Sequence, residues 1–253
     1  YGADGANGVI LVTTKHGRDE KLNININTQY GISTIDKSTS AKLLNAGQYL
    51  ELARESYVNA GLDPRAFPFQ DNDMNSYSTT DTDWYDVFFG TGNTFQTNVS
   101  LNGNAKKTDY YLSASYYENE ATIKGNKQQR FSLRTNLGFQ LHKKVKATIN
   151  LSASYNTNDL FNMGRDYYEF LPIYSPYNSD GTFRLLNMKV TGVNPDGSPK
   201  FQKHKFLNSV AEREQNTNKQ KALYVSPNFM LRYEPLKGLS YTGQFGIDFQ
   251  SNV

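Results

Sequence analysis

In the stretch KLNININTQY, Leu22, Ile24, Ile26, Thr28 and Tyr30 alternate with Asn23, Asn25, Asn27 and Gln29. Successive side chains of an extended chain point to opposite faces, so this pattern predicts a strand with one apolar and one polar side. The same alternation returns in TFQTNVSLNGN, where Phe95, Thr97, Val99 and Leu101 oppose Gln96, Asn98, Ser100 and Asn102. It returns again in VKATINLSASYN, with Val145, Ala147, Ile149, Leu151, Ala153 and Tyr155 on one side. TDYYLSASYYE, QRFSLRTNLGFQL, KALYVSPNFMLRYEP and GLSYTGQFGIDFQS complete a set of about seven predicted strands, several reaching the ~9–11 residues that a tilted strand needs to cross a bilayer. Pro227 lacks the N–H that a ladder needs, which predicts a bulge or irregularity in the sixth.

A soluble β-sandwich also alternates, but its strands average only ~5–6 residues. The joins separate the two readings further. NAKKT, HKK and EPLK are short, whereas the joins 31–93 and 157–218 are long and only NEATIKGNK breaks the asymmetry. Short turns on one side and long loops on the other characterise outer-membrane barrels, with the loops extracellular. The pattern therefore predicts an all-β fold, an antiparallel transmembrane barrel, with Leu22, Ile24, Ile26, Val99, Ile149 and Leu151 facing lipid. Tyr30, Phe95, Tyr155 and Tyr241 then lie near strand ends, as an aromatic girdle requires.

Composition fits this picture. A hydrophobic share of 37%, a mean hydropathy of −0.67 and no aliphatic run longer than Val9 to Val12 exclude a membrane protein made of helices. Eighteen Tyr and fifteen Phe among abundant Asn, Ser and Thr suit strands with two unlike faces. The balance of 27 basic and 24 acidic residues, with no basic tract, gives no nucleic-acid face. Absence of Cys removes disulfides, thiol catalysis and thiolate metal sites. His16, His142 and His204 lack metal-pair spacing, and the calcium-like run Asp71, Asp73, Asn75 has Ser76 at the turn Gly and Thr82 at the bidentate Glu. No catalytic, metal or cofactor site is expected, and the chain is not expected to be an enzyme.

Within the first long join, Asn45 and Gln48 predict a capping box for a helix ending at Gly61, with Leu50, Ala53, Tyr57 and Ala60 on one face. DWYDVFF predicts a second element folded over the rim through Trp84, Val87 and Phe88. Trp84 and Tyr85 are candidate ligand or lid contacts, since an exposed indole stacks on a sugar face. In the second long join, Tyr167, Tyr168, Tyr174 and Tyr177 crowd around Phe170. They are expected first to pack the loop internally, then to seat a lid, then to touch cargo. Asp180-Gly181 and Asp196-Gly197 are turn signals.

The opening run YGADGANGVILVTTKHG leads from Gly2, Gly5 and Gly8 into a β-branched strand pattern at 9–14 and not into a helix, so a phosphate-binding loop is not expected. It resembles the end of the plug domain in SusC/RagA-like TonB-dependent outer-membrane transporters through Tyr1-Gly2, Ala6-Asn7-Gly8 and Thr13-Thr14 with Gly17. Asp4 departs from the basic or small residue usual there. LLNAGQYLELARES and DTDWYDVFFGTGNTFQTNVSLNG resemble the family's first extracellular segment and second barrel strand. The resemblance implies a plugged 22-stranded barrel in the bacterial outer membrane. Residues 1–17 would be the C-terminal end of the plug and 18–253 the first strands, a piece of a longer precursor. It also implies import of an oligosaccharide or peptide, a SusD-like surface lipoprotein as lid, and a TonB complex engaging a segment outside this chain. An adhesive or binding surface β-protein without transport is the alternative.

Overall fold

The computed structural model describes residues 21–63, 80–164, 166–184, 187–193, 195, 199–204 and 208–253, with 187–193 and 199–204 described by their backbone. The plug-like residues Tyr1, Gly2, Ala6, Asn7, Gly8, Thr13, Thr14 and Gly17, with His16 and the Asp71–Asn75 run, lie outside them.

Ten strands form. β1 (Asn23–Ser33), β2 (Gly92–Ala105), β3 (Thr108–Glu120), β4 (Lys127–His142), β5 (Val145–Asp159), β8 (Lys219–Leu236), β9 (Leu239–Gly246) and β10 (Phe249–Asn252) make one antiparallel sheet. β6 (Asn187–Val193) and β7 (Pro199–His204) form a separate hairpin. The seven strands predicted from Lys21 onward are present, the last of them split into β9 and β10, whereas the strand pattern at 9–14 lies outside the described residues; β2, β3, β4, β5 and β8 run 13 to 18 residues. The edges β1 and β9/β10 do not meet, so the sheet is open among the described residues.

Register converts the alternating sequence into two surfaces, because residues directly opposite each other share a face. One row reads Ile26, Val99, Ala114, Leu133, Ala153, Val225, Phe249. The next residue of each of the first six strands in the opposite sense gives Asn25, Ser100, Ser113, Arg134, Ser152, Ser226. The apolar face is uncovered: Ile24 is 61% exposed, Ile26 71% and Phe245 62%. No second sheet packs on it among the described residues, which removes the sandwich alternative. Tyr30, Phe95, Tyr116, Phe131 and Tyr155 border this face at the long-loop end, and the cross-strand pair Tyr233 and Tyr241 borders it at the other. From Val145 to Tyr155 the strand rises roughly 33 Å at ~3.3 Å per residue. Tilted by ~40°, that gives an apolar band of about 25 Å, the height found in membrane barrels.

Two details differ from the sequence-based expectation: Leu22 lies just outside β1, and the long joins are 34–91 and 160–218 because the strands run past the residues read as strand ends. Pro227 brings the expected irregularity, in the ladder to its partner strand, without a bulge. Ile247 N donates to Pro227 O at 3.1 Å, but Pro227 has no hydrogen to return, so the ladder lapses at Ile247 and Asp248. It resumes with its offset unchanged, Asn228 opposite Gly246 and Val225 opposite Phe249.

The short joins 106–107, 143–144 and 237–238 each span two residues. Near the first, the Tyr110 ring lies across Gly103, its cross-strand partner on the apolar face, and a Cβ there would collide with the phenol. Gly103→Ala is therefore expected to destabilise folded barrel by ~1–3 kcal/mol. Tyr110→Ala in the same molecule should relieve the collision. Equal destabilisation with and without Tyr110, measured as heat-modifiable protein in membranes, would refute the pairing.

Candidate functional site

Described segments of the two long joins pack together at the rim. α1 (Ala46–Asn59) begins at Asn45, whose Oδ1 accepts from Gln48 N at 2.8 Å while Gln48 Oε1 accepts from Asn45 N at 3.1 Å. Gly61, at φ +70°, ends it in the left-handed conformation that glycine tolerates. Asp83 caps α2 (Trp84–Phe88), accepting from Tyr85 N at 2.8 Å. The second join supplies α3 (Asp166–Glu169) and α4 (Ser209–Gln215). Asn208 caps α4 through Val210 N at 3.0 Å, and its amide donates to Pro176 O and Arg184 O at 2.6 and 2.9 Å, tying three segments together.

The brief β3–β4 join is the floor of this unit. Gly90 N donates to Thr122 O at 2.8 Å, Lys124 N to Phe88 O at 2.9 Å, and Arg213 Nη1 to Val87 O at 3.2 Å. Gly125, at φ +95°, lets the Arg213 stem pass where a Cβ would clash.

Aromatics fill the unit. Trp84, Phe88, Met163 and Val210 are buried, with Phe161, Tyr167, Phe170, Tyr174 and Phe183 packed around them. Ala46 and Ile173 form a second cluster that shares Tyr174. Trp84 is a correction to the sugar-platform expectation. It is 4% exposed, its ring sits 5.8 Å from Phe88 and 4.8 Å from Phe170, and Nε1 donates to Leu171 O at 3.0 Å. No ring face remains for a sugar. Tyr85 and Tyr167 pack on each other at 5.5 Å, and the Tyr85 hydroxyl donates to Ala41 O. Tyr174 is half-buried, with the Arg184 guanidinium 6.0 Å from its ring. Tyr168 and Tyr177 remain exposed at 44% and 39%, and the Tyr177 hydroxyl donates to Glu214 at 3.3 Å.

Beside Trp84 runs a groove of about 870 Å³ between residues 37–49 and the segments 81–85 and 168–172. Leu43, Leu44 and Tyr168 offer it exposed apolar surface. Lys37 stands at the groove and pairs with Asp86 at 2.6 Å and Asp83 at 3.5 Å. Its hydrogen bond to Asp86 raises the Lys37 ammonium and lowers the Asp86 carboxyl from their ordinary values. Asp36 holds the approach to Lys37 in a turn, accepting from Ser38 N at 2.9 Å and Ser38 Oγ at 2.6 Å. Leu43 and Leu44 escaped the sequence reading, although two adjacent leucines in a polar stretch were the available signal.

Asp166 is the one strongly shifted carboxyl among the described residues: burial, and then Glu169 and Glu212 nearby, push it up to about 6. The folded loop thus binds this proton more tightly than the unfolded chain. Its stabilising contribution is full below the ordinary carboxylate range and is lost as pH rises through about 6. The rim unit should therefore resist protease better at pH 5 than at pH 7.5. Asp166→Asn should remove that difference and strengthen resistance at pH 7.5; an unchanged pH profile would refute it.

No family model matches the chain. It is 26% identical over 99% of its length to TonB-dependent receptor P3 of Formosa agariphila, and 28% identical over its full length to receptor P26 of the same organism. It is 25% identical over 78% of its length to the TonB-dependent receptor SusC of Bacteroides thetaiotaomicron. It spans 23%, 24% and 19% of these relatives. All of the chain superposes on a chain of the RagAB peptide transporter with a TM-score of 0.73 at 20% identity, covering 30% of that chain. In sequence the chain is thus similar to a part of SusC-like TonB-dependent receptors, and in fold it matches a part of the β-barrel transporter chain of RagAB.

Proposed function

We propose that this chain forms part of an outer-membrane importer, residues 1–17 ending the plug and 18–253 contributing the first strands of the barrel. The observation that carries the reading is the open sheet with a bare apolar face of bilayer height and a polar opposite face. Further strands close the wall, since unpaired backbone groups in hydrocarbon cost several kcal/mol each. Cargo, an oligosaccharide or a peptide, binds above the plug and enters the periplasm when an inner-membrane TonB complex displaces the plug.

A SusD-like lipoprotein covers the rim, and the groove beside Leu44 and Tyr168 is its seat. Exposed leucines and a tyrosine beside charged groups are the mixture that protein interfaces use. In the full-length transporter, Leu44→Asp with Tyr168→Ala should reduce co-purification of the lipoprotein and slow uptake while leaving heat-modifiable barrel unchanged. Normal lid retention in that variant would overturn the seat. Uptake that persists after the inner-membrane proton gradient is dissipated would overturn energised import and favour an adhesive or passive barrel.

A further inference from the structure

The polar face of the sheet carries another depression, of about 420 Å³, which shares no lining residue with the rim groove. β4 places Arg130 and Arg134 in it with Ser132 between them, and cross-strand pairing sets Ser113 and Ser152 on either side of Arg134. No Asp or Glu lines it among the described residues. Arg130 lies 5.2 Å from the Tyr117 ring centroid, while Arg134 makes no ion pair among the described residues. The acid in the same cross-strand row, Asp248, lies about 14 Å away across three strand spacings of ~4.8 Å. It already accepts from Ser226 Oγ at 2.5 Å and from the Tyr224 hydroxyl at 3.1 Å.

We propose that this depression is a carboxylate seat on the inner wall, with the two guanidiniums as its charged ligands and the serine hydroxyls as additional donors. Guanidinium presents a planar fork that matches a carboxylate with two parallel hydrogen bonds, and small serines leave room for the anion to approach. Two cations with no acid between them give the wall a local positive potential that an anion entering the lumen would neutralise. The carboxylate comes either from an acidic side chain of the domain filling the barrel or from acidic cargo passing through. The inference rests on the barrel reading.

The test uses full-length transporter in detergent, wild type and Arg130→Gln/Arg134→Gln, with citrate as probe against sodium chloride of equal ionic strength. If the seat is open to cargo, citrate should raise the melting temperature of wild type by several degrees and leave the double variant unmoved. If the filling domain supplies the carboxylate, citrate should do nothing, and proteinase K should digest that domain about tenfold faster in the double variant, the scale of a lost charge-assisted hydrogen bond. Neither effect, with the barrel still heat-modifiable, would overturn the seat and leave the barrel standing. Wild type without heat-modifiability would refute the barrel itself. Arg134→Gln breaks no ion pair among the described residues and carries the same comparison should the double variant fail to fold.

Discussion

Replacing Trp84 by Ala is expected to unfold the rim unit while sparing the wall. Truncating a buried Trp costs ~3–5 kcal/mol through lost burial and the cavity left behind. Here it also leaves Leu171 O without its indole donor and removes the ring packed on both Phe88 and Phe170. Among the described residues the rim is joined to the sheet at strand ends and through 121–126, so its loss need not propagate into the ladder. Proteinase K on whole cells should cut within 34–91 and 160–218 in Trp84→Ala, whereas the heat-modifiable band should persist. Trp84→Phe should fall between, keeping the packing and losing the hydrogen bond. A rim as resistant as wild type would show that Trp84 does not hold it.

The second large effect is positional. Val99 belongs to the apolar row and is 40% exposed, while Ser100, one residue on, faces Ser113 and Asn25 on the polar side. Arg at Val99, near the middle of the apolar band, is expected to cost ~2–4 kcal/mol in a bilayer, and Arg at Ser100 far less. The measurement is the yield of folded, heat-modifiable transporter in outer membranes for the two variants. Equal losses would remove lipid from the apolar face.

The wall was legible because its two environments impose period two without interruption. β1 and β5 alternate perfectly, and pairing then follows from the hairpin order with no choice left to make. The rim was legible only where a local signal existed. Asn45 with Gln48 and the Asp180-Gly181 turn are such signals, and Gly181 takes φ +83° in the structure. β6 and β7 were missed because NMKVTGV and PKFQKH show no sustained alternation, a loop hairpin having no membrane to sort its faces. α3 and α4, at four and seven residues, are too short for helical periodicity to register. Trp84 shows the deeper limit. An indole in a loop is equally compatible with a platform and a core until the partner segment is placed, and that partner, Leu171, lies 87 residues away.

That separation has a consequence for assembly. Strand hairpins such as β2–β3 close over two residues, whereas the rim core joins side chains from 84–88 to segments 161–183 and 208–213, with Arg213 bonded to Val87 across 126 residues. Loop-closure entropy rises with that span, so the hairpins must zip first and bring the loop ends together before the rim can condense. Until β8 docks on β5 and delivers Asn208 and Val210, the apolar side chains of Trp84 and Phe88 have only part of their cover. Completion of the rim therefore reports that five neighbouring strands have already found their register, and a periplasmic holding chaperone would have an exposed aromatic segment to grip until they do.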